Sequence, residues 1–309
     1  MEFKHVSVLL NECIKGLNIK SDGIYVDATT GGGGHSKEIA KRLVNGKLIC
    51  IDQDEDALKA AKKVLSGYKN VFFVKNNFVN FKKIIEELGI EKVDGVLLDL
   101  GVSSYQLDFK DRGFSYTKNA NLDMRMDKDS SFTAMDVINQ YSQKELERIF
   151  FNYGEEKWAK KIAQNIIKER QDKPIKTTFE LVDIVDKTIP KKVIINRGHS
   201  SKKVFQAIRI EVNDELKVID KVIPQIIDSL NKDGRVCIIT FHSLEDRIVK
   251  NIFKYFSSGC ICSKELPICI CNHKKTIKLI NRKPIIASEK EIEENSRSKS
   301  AKLRIAQKL

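Results

Sequence analysis

Four short apolar runs separated by three helix-period segments fill the first hundred residues of this 309-residue chain, and they leave little choice of architecture. Gly23–Asp27 (GIYVD), Lys47–Asp52 (KLICID), Val71–Val74 and Val93–Leu100 (VDGVLLDL) read as strands. Ser36–Val44, Glu55–Leu65 and Phe81–Leu88 read as helices, each with one apolar face. Continuous apolar strands between amphipathic helices are the pattern of a parallel sheet covered on both faces. Right-handed crossovers then give an α/β, Rossmann-like, doubly wound sheet.

From Gln106 to Arg209 the alternation stops and no strand is expected. Ser142-Gln-Lys-Glu145 and Thr177-Thr-Phe-Glu180 fit the capping box, in which hydroxyl and carboxylate cap backbone amides reciprocally. They open helices running to about Tyr153 and Thr188, with Pro174 and Pro190 as breakers. A helix over Asp214–Leu230, kinked at Pro224, precedes a fifth strand at Arg235–Thr240. After a helix at Leu244–Phe256 come two β-like runs, Thr276–Ile280 and Lys302–Ala306. The economical organisation is one discontinuous α/β domain, residues 1–105 and 210–309, interrupted by a helical insertion at 106–209 that would recognise the substrate.

The glycine tract Gly31–Gly34 follows the first strand at once, where glycines let the backbone approach a ligand and a helix N-terminus offers free amides. No Gly-Lys-Ser/Thr follows, so the tract is not a P-loop. Position 36 is Ser and position 37 is Lys, so G-x-G-x-x-G is incomplete. The pattern therefore favours an adenosine ligand without a pyrophosphate, S-adenosylmethionine, over a dinucleotide. Asp27, Asp52 and Asp99 each end a strand, and ligands of open α/β sheets sit beyond those ends, so the three are expected to share one crevice.

Composition restricts partners. The net charge is +13, and it is unevenly placed. Residues 1–105 carry 15 basic and 14 acidic side chains, 106–209 carry 21 and 15, and 247–309 carry 15 and 5. Lys187–Arg209 holds seven basic residues and no acidic one. Charge gathered on the insertion's end and the C-terminal segment suits a clamp on RNA phosphates. No uncharged apolar run approaches the roughly 18 residues of a membrane span. Glu2 and Lys4 interrupt the place of a signal-peptide core, so a cytoplasmic protein is expected. Four of the seven cysteines, Cys260, Cys262, Cys269 and Cys271, lie within 12 residues, close to His273. A structural zinc site, reduced free thiols and a regulatory disulfide are all open readings, with Pro267 placed to turn the loop between the pairs.

Motifs along nearly the whole chain carry a resemblance. They are His5-x-x-Val8-Leu-Leu-x-Glu12, Gly31-Gly-Gly-Gly-His35-Ser36 and Asp99-Leu-Gly-Val-Ser-Ser-Tyr-Gln106-Leu-Asp108. Further on stand Arg112-Gly-Phe-Ser115, Leu122-Asp-Met-Arg-Met-Asp127, Tyr153-Gly-Glu-Glu156, Phe205-Gln-Ala-Ile-Arg209-Ile and Phe241-His-Ser-Leu-Glu-Asp-Arg247-Ile-Val-Lys250. In these the chain resembles the ribosomal RNA small-subunit methyltransferase H family, also called MraW. The resemblance implies a class I S-adenosylmethionine-dependent methyltransferase fold with a helical insertion. It implies methylation of N4 of a cytidine in the decoding region of 16S ribosomal RNA, within the small subunit, with neither DNA nor a membrane as partner. It places donor contacts at Gly33, Gly34, His35, Asp52, Phe78, Asp99 and Gln106. The chain departs from the family at Asn295-Ser-Arg-Ser-Lys299-Ser300 and His199-Ser-Ser-Lys-Lys203-Val-Phe205, which keep charge but lose a proline and an Arg fork that Lys does not reproduce.

A cytosine amine is a poor nucleophile because its lone pair is conjugated into the ring, so positioning carries much of the catalysis. Asp99-Leu-Gly-Val lacks the prolines of the Asp/Asn-Pro-Pro-aromatic motif used by many amino-methyltransferases. Asp99, with Ser103 and Ser104, is expected to accept hydrogen bonds from the amine; the competing role for Asp99 is to hold the methionine end of the donor. His242 either faces the crevice or caps the helix after it. Arg112, Phe114, Tyr116, Arg125 and the 197–209 stretch are candidate RNA contacts for a base turned out of its stack. Two other classes remain: a dinucleotide-dependent oxidoreductase, and a non-catalytic RNA-binding or ribosome-assembly factor.

Overall fold

The computed structural model describes residues 7–102, 112–190, 192, 199–263, 266 and 268–309. The chain divides into two compact units, Met1–Gly101 with Leu216–Leu309, and Val102–Glu215. The first unit begins with α1 (Leu10–Leu17), β1 (Ile24–Asp27), α2 (Gly34–Ala40), β2 (Lys47–Asp52), α3 (Glu55–Val64), β3 (Val71–Lys75), α4 (Phe81–Glu87) and β4 (Val93–Asp99). The second unit holds α5 (Ala134–Gln140), α6 (Gln143–Asn152), α7 (Ala159–Asp172), α8 (Thr178–Thr188) and α9 (Lys202–Val212). The chain then continues through α10 (Glu215–Ser229), β5 (Leu230–Thr240), α11 (Ser243–Ser257), β6 (Ile277–Leu279), β7 (Ile285–Ile286), α12 (Glu289–Glu294) and β8 (Lys302–Lys308).

The sheet runs β3-β2-β1-β4-β5-β8-β6, with β7 also paired to β8. Strands β1 to β5 are parallel, and β8 is antiparallel to β5, β6 and β7. The order reverses direction between β1 and β4, the position at which doubly wound sheets open a ligand crevice. Side chains alternate faces along each strand. Leu48, Cys50, Leu97, Cys237 and Ile239 pack with Leu17, Ile39 and Ala61 of α1 to α3. Ile49, Ile51, Val96, Leu98, Val236 and Ile238 pack with Phe81, Ile84, Ile223, Ile227 and Phe253 of α4, α10 and α11. Two apolar faces need two helical layers, and that requirement makes the strands continuous apolar runs.

Boundaries moved where tertiary contacts compete. The expected helix Ser36–Val44 starts at Gly34 and stops at Ala40. Beyond it, Arg42 and Leu43 make only three-residue turn bonds, and the Ser21 carbonyl captures the amides of Val44, Asn45 and Gly46. Strand β5 reaches back to Leu230 because Leu230 pairs with Val93, and α10 runs through Pro224 as one helix. Short β7 and α12 escaped the sequence reading; two residues and six give too little pattern to register.

In the second unit the capping boxes at Ser142 and Thr177 form as expected. A third, Thr133 with Asp136, uses the shorter carboxylate. The amphipathic faces of the five helices meet around Leu146, Ile149, Phe150, Ile162, Ile166, Leu181, Val185 and Phe205. No strand occurs among its described residues, only an isolated bridge from Asn121 to Thr177. The irregular stretch before α5 is tied down by polar side chains. Arg112, buried, donates to the carbonyls of Arg125 (2.7 Å) and Met126 (3.2 Å). Asn213 accepts from the Met126 amide and donates to the Met124 carbonyl, both at 2.8 Å.

Candidate functional site

The carboxyl ends of β1, β2 and β4 carry the three aspartates. The backbone after β1 stays threaded between its neighbours: the Ala28 amide donates to the Leu97 carbonyl and the Thr30 amide to the Ile51 carbonyl. The chain then turns through Gly31 (φ +50°) and Gly33 (φ +81°), left-handed conformations that glycine adopts without strain. Gly33 caps α2, and a Cβ on Gly34 would overlap the Ser7 hydroxyl unless that side chain turned away. Gly32 has nothing near its absent side chain, so the turn is open on that side.

Each carboxylate has a different environment. Asp27 is buried; it accepts from the Ser36 hydroxyl at 2.6 Å and the Thr29 amide at 3.3 Å. Burial pushes its pKa up to about 6. Asp52 accepts from the Gly31 amide at 2.8 Å and the Asp54 amide at 2.9 Å, which ties the glycine turn to the end of β2. Burial, then the charges of Asp54 and Asp27, raise it to about 6 against the hydrogen bonds that lower it. Asp99 is pushed up to about 8, first by burial and then by the negative charges of Asp27 and Glu245. Its amide donates to the Thr29 hydroxyl at 2.6 Å, and its side chain remains 26% exposed. Oδ2 lies 3.8 Å from His35 Nδ1, while Oδ1 is buried with no hydrogen-bond partner among the described residues. His35 is itself buried, with Nε2 3.0 Å from the Val8 carbonyl. A carbonyl only accepts, so Nε2 carries the proton and Nδ1 is the atom presented to Asp99.

Asp52 and Asp99 end the strands on either side of β1, and the charge of the buried Asp27 between them raises both. Sequence reasoning missed the buried role of Asp27, although the Ser at position 36 that spoiled the dinucleotide pattern is the residue that reveals it. Gly33, Gly34 and His35 form the N-terminus of α2, where His35 faces Asp99. Phe78 sits in a short turn after β3, partly buried against the core, held by Asn77 through the Val79 amide (2.9 Å) and Gln53 (2.8 Å). Ser103 and Gln106, with Ser104, lie outside the described residues, as do His5, Pro267 and 193–198 of the basic stretch.

This geometry accommodates S-adenosylmethionine. A buried Asp99 oxygen without a hydrogen-bond partner among the described residues, the carboxylate of Asp52 and an open glycine turn offer acceptors for hydroxyls and for positive charge. A model of the MraW methylase family matches residues 2–309. The chain belongs to the MraW methylase family. It is 59% identical to the ribosomal RNA small subunit methyltransferase H of Finegoldia magna, over 100% of both chains. Proteins of the same name from Clostridioides difficile and Clostridium botulinum are each 58% identical, again over 100% of both chains. A solved rRNA methylase of Streptococcus thermophilus matches over 99% of both chains with 12% identity and a TM-score of 0.46, too slight a likeness to carry an argument.

Within this MraW chain one open alternative is decided and one expectation changes. His242 is the cap of α11: its Nδ1 accepts from the Glu245 amide at 3.4 Å and its Nε2 lies 3.1 Å from the buried Glu245 carboxylate, so the ring is engaged in the helix start. Arg112 and Phe114, offered as RNA contacts, are buried in the second unit, where they hold loop carbonyls and core packing. Tyr116 packs at a tilt against His199 (ring centroids 4.3 Å apart), and Arg125 forms a two-pronged bond to Asp123. The four clustered cysteines place their sulfurs within 4.8 Å of one another.

Proposed function

We propose that this chain transfers a methyl group from S-adenosylmethionine to the exocyclic N4 of a cytidine in the decoding region of 16S ribosomal RNA. Ribosomal RNA methylation as the activity is supported by the full-length family match and by relatives 57–59% identical that carry that name. Use of the sulfonium donor is supported by the single observation that Asp99, at the switch point of the sheet and facing His35 at the start of α2, has a buried Oδ1 without a hydrogen-bond partner among the described residues. No helix among the described residues is long and apolar enough to cross a membrane.

In this reading Gly33, Gly34 and His35 at the glycine turn and the ring of Phe78 contact the donor, with Asp52 accepting from the ribose hydroxyls. Gln106 completes the donor contacts, as the resemblance implies. When bound, the donor supplies an electrophilic methyl on a positively charged sulfur. Asp99 accepts a hydrogen bond from the N4 amine, orients its lone pair and takes the amine proton as the N–C bond forms. Raised to about 8 without donor, Asp99 is mostly protonated near neutral pH; it gives that proton to solvent when the positively charged donor binds, and can hold the amine proton once the sulfur has become neutral. Ser103 assists in holding the amine. The helical insertion at 106–209, rich in Lys and Arg, receives the RNA. The competing role, Asp99 as the anchor of the donor's ammonium, draws support from the negative charges of Asp27 and Glu245 around it.

Labelled methyl transfer to naked 16S RNA and to assembled small subunits tests the reading, with product nucleosides identified by mass spectrometry. N4-methylcytidine is the expected product. Absence of transfer to either substrate would favour an assembly factor. Asp99→Asn separates the two roles: lost turnover with donor affinity kept supports proton acceptance, and lost donor binding supports the anchor.

A further inference from the structure

The cysteine-rich segment between α11 and β6 is unlike the rest of the first unit. From Ser258 to Thr276 its described residues form no helix or strand. Its aliphatic side chains do not bury themselves: Ile261, Ile268 and Ile270 are 47%, 74% and 72% exposed. Hydrophobic packing therefore does not hold this segment in shape. Its ends are fastened, by the Thr276 amide to the Phe256 carbonyl at 2.9 Å and by His273, whose Nε2 lies 2.9 Å from the Tyr255 carbonyl and whose ring packs 4.5 Å from that of Tyr255. His273 is thereby withdrawn from the thiol cluster.

Four sulfurs converge in the middle. Cys260 and Cys269 Sγ are 3.5 Å apart, Cys269 and Cys271 3.6 Å, Cys260 and Cys271 3.8 Å, and Cys262 completes a group contained within 4.8 Å. A tetrahedron of thiolates at the Zn–S distance of about 2.3 Å has edges of about 3.8 Å, close to the three separations among Cys260, Cys269 and Cys271, with Cys262 near enough to supply the fourth corner. In each C-x-C pair the intervening isoleucine stands exposed while the thiols meet. Two backbone amides point at sulfur, Ile261 toward Cys271 (3.5 Å) and Cys262 toward Cys260 (3.4 Å), the kind of donor that stabilises thiolate charge.

We propose that Cys260, Cys262, Cys269 and Cys271 bind one zinc ion as a closed, structural tetrathiolate site that organises this segment. All four ligand positions are thiolates, which leaves no open position for a substrate. Binding displaces four thiol protons to solvent and leaves a centre of formal charge −2, flanked by exposed Lys274 and Lys275. The site is separate from methyl transfer and does not rest on it.

The test uses the full chain, purified without chelators and without immobilised-metal chromatography. Elemental analysis is expected to find one zinc per chain. The four clustered thiols should resist a thiol reagent until a strong chelator is added, then react together, while buried Cys13, Cys50 and Cys237 stay protected in the folded protein. Replacement of zinc by cobalt should give intense thiolate-to-metal charge-transfer bands of a tetrahedral site, altered in Cys269→Ser. Metal-free protein with four freely reactive thiols, a disulfide within the cluster, or stoichiometric iron in place of zinc would each overturn the proposal. These readouts use the native chain, so they stand even if the serine variant folds poorly.

Discussion

Ser36 donates a 2.6 Å hydrogen bond to the buried carboxylate of Asp27, joining the first turn of α2 to the end of β1 across the glycine turn. The turn is thus fixed at both ends: Asp27 holds the helix that follows it, and Asp52 holds its first amide. Replacing Ser36 by Ala leaves Asp27 with one amide donor. Charge-assisted bonds to buried groups are worth about 2 kcal/mol, so Ser36→Ala should lower unfolding stability by about that amount and weaken donor binding. Urea denaturation and calorimetric titration measure both; an unchanged midpoint would remove the support role assigned to Asp27.

The approach of Gly34 to Ser7 predicts a compensating pair. Gly34→Ala drives a methyl group into the Ser7 hydroxyl and should distort the turn, with a loss of thermal stability and of donor affinity. Ser7→Ala removes the clashing oxygen and leaves only the Ser7 Cβ, 3.4 Å away. The double variant should recover most of what Gly34→Ala loses. Equal damage in single and double variants would show that backbone freedom at Gly34, rather than space, is what matters.

The carboxylate cluster sets a pH dependence. Asp27 and Asp52 are raised to about 6 and Asp99 to about 8, mainly by burial. In the unfolded chain such groups titrate near about 4, so above that pH the folded state binds more protons. Their contribution to stability is therefore complete below about pH 4 and is lost as pH rises through about 6 and then about 8. Without donor, stability to denaturant should fall across that window, and Asp99→Asn should flatten its upper part. A rise in stability over the same range in the wild-type chain would contradict the assignment. Donor binding near pH 7, bringing positive charge to Asp99, should release protons, which calorimetry in buffers of different ionisation enthalpy can count.

Arg112 should prove structural. Arg112→Ala strands the carbonyls of Arg125 and Met126 that it binds, at a cost of about 3 kcal/mol to the second unit. Donor affinity should be unchanged, because the described donor-binding candidates all belong to the first unit. Circular dichroism melts and donor titration provide the check; weakened RNA binding with unaltered stability would restore Arg112 as an RNA contact.

Much of this was legible in residues alone. The strand runs, the glycine tract, the strand-end aspartates and the capping boxes at Ser142 and Thr177 are local patterns, read from period and from side-chain chemistry within a few positions. Features that depend on distant partners were not legible. The end of α2 at Ala40 is decided by the Ser21 carbonyl, some twenty residues earlier, and the orientation of His35 by the carbonyl of Val8. His242 shows the boundary between the two kinds of knowledge. Its spacing to Glu245 was compatible with a cap, but only packing decided that the ring turns into the helix start.

The sequence by itself determined that a doubly wound sheet must form, because apolar runs without polar alternation have to be covered on both faces, and it placed carboxylates at the strand ends where that sheet opens. Tertiary structure alone decided what each carboxylate does. Identical aspartates acquire different hydrogen-bond partners and different degrees of burial, so Asp27 becomes a buried support, Asp52 a clasp on the glycine turn, and Asp99 keeps an oxygen without a partner among the described residues. Desolvation and neighbouring charge belong to the folded surroundings of a group, and no spacing in the chain encodes them locally.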